Sequence, residues 1–258
     1  MKTSPLSNTL LACGAVLLFG AGQADASCGH QADRSGDADA AGVKLVVIEA
    51  EAGDLVVHGK SGAGKVLAHG QACADSATQL EKIQLETRRS GDTVTVRVRI
   101  DRESSFGWSS DAWLDLDVEV PESAELEIED GSGDTVLRGL GKVRIEDGSG
   151  DLQVEKVASL RLVDGSGDVE IEDSGDLQLE DGSGDLVVRR NRGNVLIEED
   201  GSGSIDLQEI GGSVRVRDDG SGSIYVADVQ GDFTVDDDGS GDIEHKNVRG
   251  KISIPARD

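Results

Sequence analysis

The sequence predicts an all-β fold, a parallel β-solenoid in the form of a right-handed β-helix, on three observations. A corner reading Asp-Gly-Ser-Gly, followed by Asp or Ser, begins at Asp130 and returns at Asp147, Asp164, Asp181, Asp200, Asp219 and Asp238, in steps of 17, 17, 17, 19, 19 and 19 residues. A short fixed period marks a repeat architecture, in which each unit buries its apolar face only against the next. Between corners, apolar residues fall at every second position, as in Ser204 to Ile210 and Ser213 to Arg217, so each unit holds two strands with one buried face. Stacking the units then aligns inward columns, such as Thr135, Leu152, Val169, Leu186, Ile205, Ile224, Ile243 and Ile145, Leu162, Leu179, Ile197, Val216, Val235, Ile254.

Three further columns complete the core. Leu137, Val154, Ile171, Val188, Leu207, Val226, His245 form the second, and Val143, Leu160, Leu177, Val195, Val214, Phe233, Ile252 the fourth. The third, Leu140, Val157, Ser174, Asn191, Ile210, Val229, Val248, is polar at two central positions, which requires hydrogen-bond partners from the turn backbone. The step from 17 to 19 residues adds one residue at each connection and leaves the strands at their length. Every unit repeats in one orientation, which favours a parallel coil over a hairpin meander and sets like residues about 4.8 Å apart.

The elements run in order from a targeting segment. Lys2, the apolar Leu10 to Ala21 and the small Ala24-Asp25-Ala26 read as a signal peptide over 1–26, so the protein is exported. Leu11-Ala12-Cys13 matches a lipoprotein box only in part, because the apolar Ala15 to Phe19 follows the Cys instead of preceding it. Cleavage leaves Cys28 and Cys73 in an oxidising compartment, where a disulfide between them is expected. Residues 27–42 are small, polar and without period, and read as a linker. Residues 43–121 carry irregularly spaced strands closed by Pro121, an N-terminal cap of irregular β coils over the regular repeats of 122–258.

Here a resemblance becomes specific. Gly53-Asp-Leu-Val-Val57, Asp115-Leu-Asp-Val-Glu-Val-Pro121, Glu125-Leu-Glu-Ile128 and the serial Ser-Gly-Asp turns resemble the bacterial putative-adhesin family of β-strand-repeat proteins, related to the GIN-type heads of putative auto-transporter adhesins. It covers about residues 43–258, and the early cysteine pair is similar to that of members from Gram-negative bacteria. The resemblance implies a right-handed β-helix in the cell envelope, periplasmic, surface-bound or secreted, and implies no catalytic residues.

Composition narrows the partners. A formal net charge of -26 over 258 residues argues against nucleic acid and anionic membranes. No stretch of the mature chain is long enough for a transmembrane helix, and the expected partner is an envelope or extracellular protein or a glycan. His30, His58, His69 and His245 are scattered without metal-ligand spacing, so no metal and no cofactor is assigned. The Ser-Gly-Asp corners invite comparison with calcium-binding β-rolls, yet those place Gly-x-Asp twice per coil where this chain has Gly-Asp once. Lys60 to Lys65 lacks the spacing of a phosphate loop and reads as a hairpin turn.

Catalysis finds no nucleophile elbow and no paired His, and the outward residues Arg144, Arg161, Gln178, Arg215, Glu146, Glu180, Glu198, Arg217 and Asp236 read as a solvated surface with cross-strand charge pairs. The expectation is a non-enzymatic binding scaffold, with a carbohydrate-active β-helix enzyme and a calcium-binding β-roll as alternatives. Phe106, Trp108 and Trp113 are the candidate surface contact, set against a role in closing the end of the stack.

Overall fold

The computed structural model describes residues 28–101 and 112–255, so the signal-peptide segment and the Phe106 and Trp108 candidates lie outside the described residues. The regular repeat is built as expected, a parallel β-solenoid of about seven turns. Its strands are β8 (Glu125–Asp130), β9 (Thr135–Asp147), β10 (Leu152–Asp164), β11 (Val169–Glu172), β12 (Asp176–Asp181), β13 (Leu186–Arg189), β14 (Val195–Asp200), β15 (Ile205–Ile210), β16 (Val214–Asp219), β17 (Ile224–Val229), β18 (Phe233–Asp238), β19 (Ile243–Val248) and β20 (Ile252–Ser253). Leu152 pairs with Thr135 and Val169, and Leu160 with Val143 and Leu177, in parallel register one coil apart. Column residues such as Leu186, Val188, Ile197, Leu207 and Val216 have no accessible surface. Each contributes roughly 1.5–3 kcal/mol by burial, which holds a narrow stack with almost no aromatic residues.

One face of the coil carries β8, β12, β14, β16, β18 and β20, the opposite face β11, β13, β15, β17 and β19, while β9 and β10 run through both. The last coil departs from the expected columns. His245 is exposed rather than inward, Ile252 is 39% exposed, and Ile243 and Val248 are only half-buried, because among the described residues no further coil covers them. His245 instead meets the Phe233 ring edge-to-face at 6.2 Å.

The extra residues of the longer coils are housed in two ways. One falls in the turn at Arg192 to Asn194. The other, Glu198, is a bulge inside β14: Leu179 pairs with Ile197 and Glu180 with Glu199, so the strand, not its connection, takes the insertion.

The N-terminal region corrects one reading. Residues 27–42 were expected as a linker, yet His30–Asp39 form β1, paired antiparallel along its whole length with β4 (Lys65–Ala74). A strand of mostly polar residues can be held by backbone hydrogen bonds when one side meets a sheet edge, and local periodicity does not report that. The first coil, β2 (Leu45–Glu49) and β3 (Leu55–Lys60), packs directly on the regular stack, β2 against β8 and β3 against β9. The chain then doubles back through β4, the four-residue helix α1 (Ala77–Leu80) and β5 (Ile83–Ser90). It next adds β6 (Thr93–Ile100) and β7 (Ala112–Pro121) on the far side of β2 and β3. Antiparallel β5 and β4 close that end.

Candidate functional site

The corner that repeats in the sequence is the most regular chemical feature of the structure. Its two glycines are there because the backbone leaves no choice. A Cβ on Gly165 would sit 2.5 Å from the carbonyl oxygen of Gly148 one coil back, and one on Gly167 would sit 1.8 Å from that of Gly150. Gly167 also has φ 139°, which L side chains rarely adopt. In return the corner backbone bonds coil to coil: Gly165 N–H donates to Asp147 O at 2.9 Å and Gly167 N–H to Ser183 O at 3.0 Å.

Two ladders of carboxylates flank this backbone. In the outer ladder each side chain accepts from the amide of its counterpart in the neighbouring coil. Asp54 N–H donates to Asp115 Oδ1 at 3.0 Å, Asp134 N–H to Asp54 Oδ1, Asp151 N–H to Asp134 Oδ1 and Asp168 N–H to Asp151 Oδ1, each at 3.1 Å. Asp185 N–H to Asp168 Oδ1 at 3.0 Å and Ser204 N–H to Asp185 Oδ1 at 2.9 Å complete the series. The opposite corner repeats the device through Asp176, Asn194, Ser213 and Asp232, which accept from Asn194, Ser213, Asp232 and Lys251 amides at 2.7–3.0 Å.

The inner ladder is the corner Asp itself, stacked one strand spacing per coil. Asp130, Asp147, Asp164, Asp181, Asp200 and Asp219 end the strands of one face in unbroken register, and all are buried, Asp200 and Asp219 to 1% exposure. The available signal was the alternation itself, since each corner Asp lies two residues after an inward position or, in the longer coils, after the bulge.

Few donors reach this column. Thr135 Oγ1 donates to Asp130 Oδ2 at 2.8 Å, which accounts for the one Thr at the head of an otherwise aliphatic column. Ser183 N–H donates to Asp181 Oδ1 at 3.1 Å. Both carboxylate oxygens of Asp147, Asp164, Asp200 and Asp219 are buried without a hydrogen-bond partner of good geometry.

Burial, and then the charges of neighbouring members, drives these groups upward. Asp147 is pushed up to about 7 by burial and by Asp130 and Asp164, with the turn N–H groups of Ser149 and Gly148 pulling it partly back. Burial and then Asp181 take Asp164 to about 7, while Asp181 itself is raised to about 6, held down by the Ser183 N–H and by Asp164. Asp200 rises to about 7 by burial and the Asp181 charge, and Asp130 and Asp219 are raised first by burial. A protonated Asp164 donating to an ionised Asp181, and Asp200 to Asp219, fits these opposed influences. Neighbouring unit charges one strand spacing apart repel by roughly 3 kcal/mol at an effective dielectric of 20. Full ionisation of six stacked members would therefore cost on the order of 15 kcal/mol, as much as the whole stability of an ordinary domain.

The remaining candidates are placed as follows. Cys28 and Cys73 form a disulfide with Cα atoms 5.7 Å apart, fastening the start of β1 to β4. Trp113 is half-buried on β7, where its side chain bonds the Asp115 carboxyl that burial raises. On the outward face, Arg215 bonds Asp236 at 2.8 Å, Gln178 bonds Glu198 at 2.9 Å, and Arg217 pairs with Glu198. Among the described residues no group of three or more His, Cys, Asp or Glu is placed to hold a metal ion, and no helix is long and apolar enough to cross a membrane.

The fold defines the class, a parallel β-solenoid with an antiparallel N-terminal cap. Among solved structures, the chain is similar to a putative adhesin from Bacteroides fragilis at 15% identity, covering 88% of this chain and 99% of that one, with a TM-score of 0.49. A putative adhesin from Parabacteroides merdae matches at 14% identity over 88% and 97%, TM-score 0.48. A putative lipid binding protein from Parabacteroides distasonis matches at 15% over 87% and 97%, TM-score 0.49. No family model and no curated protein matches the chain.

Proposed function

We propose that the protein is an exported, non-enzymatic scaffold of the cell envelope, whose regular coils present a polar face to a protein or glycan partner. Residues 1–26 direct export and are removed, 43–121 cap the stack, and 122–258 form the presenting surface. The observation that carries this reading is the outward face itself. Arg215, Asp236, Gln178, Glu198 and Arg217 stand in strand-spaced rows of exposed or half-buried pairs, of which the exposed ion pairs are worth little to stability, so the face is available for contact. The Cys28–Cys73 disulfide supports maturation in an oxidising compartment. The experiment joins a binding screen of the purified protein against acidic and neutral polysaccharides and envelope proteins to an assay for turnover. Binding without turnover is expected, and turnover of any polysaccharide would overturn the reading. Recovery of reduced protein from the cytoplasm alone would overturn export.

A further inference from the structure

We propose that the inner column of Asp130, Asp147, Asp164, Asp181, Asp200 and Asp219 is a proton-binding site running along the stack, in which protons are shared between carboxylates of successive coils at neutral pH. Geometry carries this. The six residues are in register, at least nine-tenths buried, and four of them have no hydrogen-bond partner of good geometry for either oxygen. Two carboxyls one strand apart can satisfy each other only if one keeps its proton and donates it.

Among the described residues no cation acts on the column. Of the buried residues that open the strands of the opposite face, Thr135, Leu152, Val169, Leu186, Ile205 and Ile224, one carries a hydroxyl, which donates to Asp130, and five are aliphatic. The charged groups acting on it from outside its own six members are all acidic: Asp54 on Asp130, Asp168 on Asp181, Asp185 on Asp200, and Asp218 and Asp238 on Asp219. Neutralisation must come from solution, and with no metal-holding cluster among the described residues the ligand that fits is the proton.

A consequence follows for stability. Carboxyls raised in the folded state above their unfolded value contribute stability that is complete below about pH 4 and is lost as pH rises through 6 to 7. The column therefore stiffens the solenoid in mild acid and strains it in alkali.

The test is a carbon-13 titration of the aspartate carboxyls in the intact protein from about pH 4 to 9, with melting temperature followed in parallel. Expected are several carboxyl carbons with midpoints near 6 to 7, and a fall in melting temperature of about 5 °C or more between pH 5 and 8. Asp164→Asn should move the Asp147 midpoint down, because the Asp164 charge is one of the influences that raise it, and should flatten the fall, whereas exposed Glu146→Gln should change neither. Titration of every aspartate near the ordinary value of about 4 would overturn the proposal, and this reading needs no variant to fold. Midpoints displaced by calcium beyond the effect of sodium chloride at equal ionic strength would also overturn it, in favour of a metal column.

Discussion

The Asn191 side-chain amide donates to Ser174 Oγ at 2.9 Å, linking the only two polar members of the third inward column across one coil. Its second contact is the carbonyl of Gly175, so the turn backbone does supply part of what these buried groups need. Removing one partner alone leaves the other buried and underused, while removing both restores the apolar column found in neighbouring coils. Ser174→Ala and Asn191→Leu should therefore each destabilise, and the double variant should recover about 1 kcal/mol relative to the sum, measured by a denaturant double-mutant cycle.

Glycine is demanded twice at each corner, for different reasons. Gly165→Ala forces a carbonyl contact, and Gly167→Ala adds a disfavoured φ to a closer one. Both should lose more than about 2 kcal/mol, Gly167→Ala the more, while Ser166→Ala between them should change stability by less than about 0.5 kcal/mol in equilibrium urea unfolding.

The second bend of six successive coils holds a non-glycine residue in the left-handed region, Lys156, Asp173, Arg190, Glu209, Asp228 and Asn247, with φ of 54–59°, where the coil before them has Gly139. That conformation costs an ordinary L residue about 1–2 kcal/mol, and Asn bears it best after Gly. Glu209→Gly should raise stability by about 0.5–1 kcal/mol and Glu209→Val should lower it, as read from thermal midpoints.

The disulfide closes a sequence separation of 45 residues, for which a chain-entropy account gives about 4 kcal/mol. It joins the cap, not the coils. Reduction should therefore raise amide hydrogen exchange across His30–Asp39 by at least about tenfold while leaving Leu207 and Val216 protected, since those strands pair with coils on both sides.

The solenoid, its strand faces and its five inward columns were legible in the chain because period-two alternation and a fixed repeat are local facts, and parallel stacking turns a repeat in sequence into a column in space. Leu186, Ile205 and Ile224 could be aligned by counting. The Cys28–Cys73 link was legible from thiol count and compartment. What counting could not reach depended on long-range pairing. β1 exists because β4 offers an edge, and β2 lies between β6 and β8 because the chain turns back on itself, arrangements decided by partners 26 to 80 residues away. The same holds for the corner. Asp147 and Asp151 look alike in sequence, four residues apart in one acidic turn, yet the tertiary structure buries the first among its own kind and leaves the second at the surface with an amide to accept. Burial sets the proton affinity of a carboxyl, and burial is a property of the stack rather than of the residue.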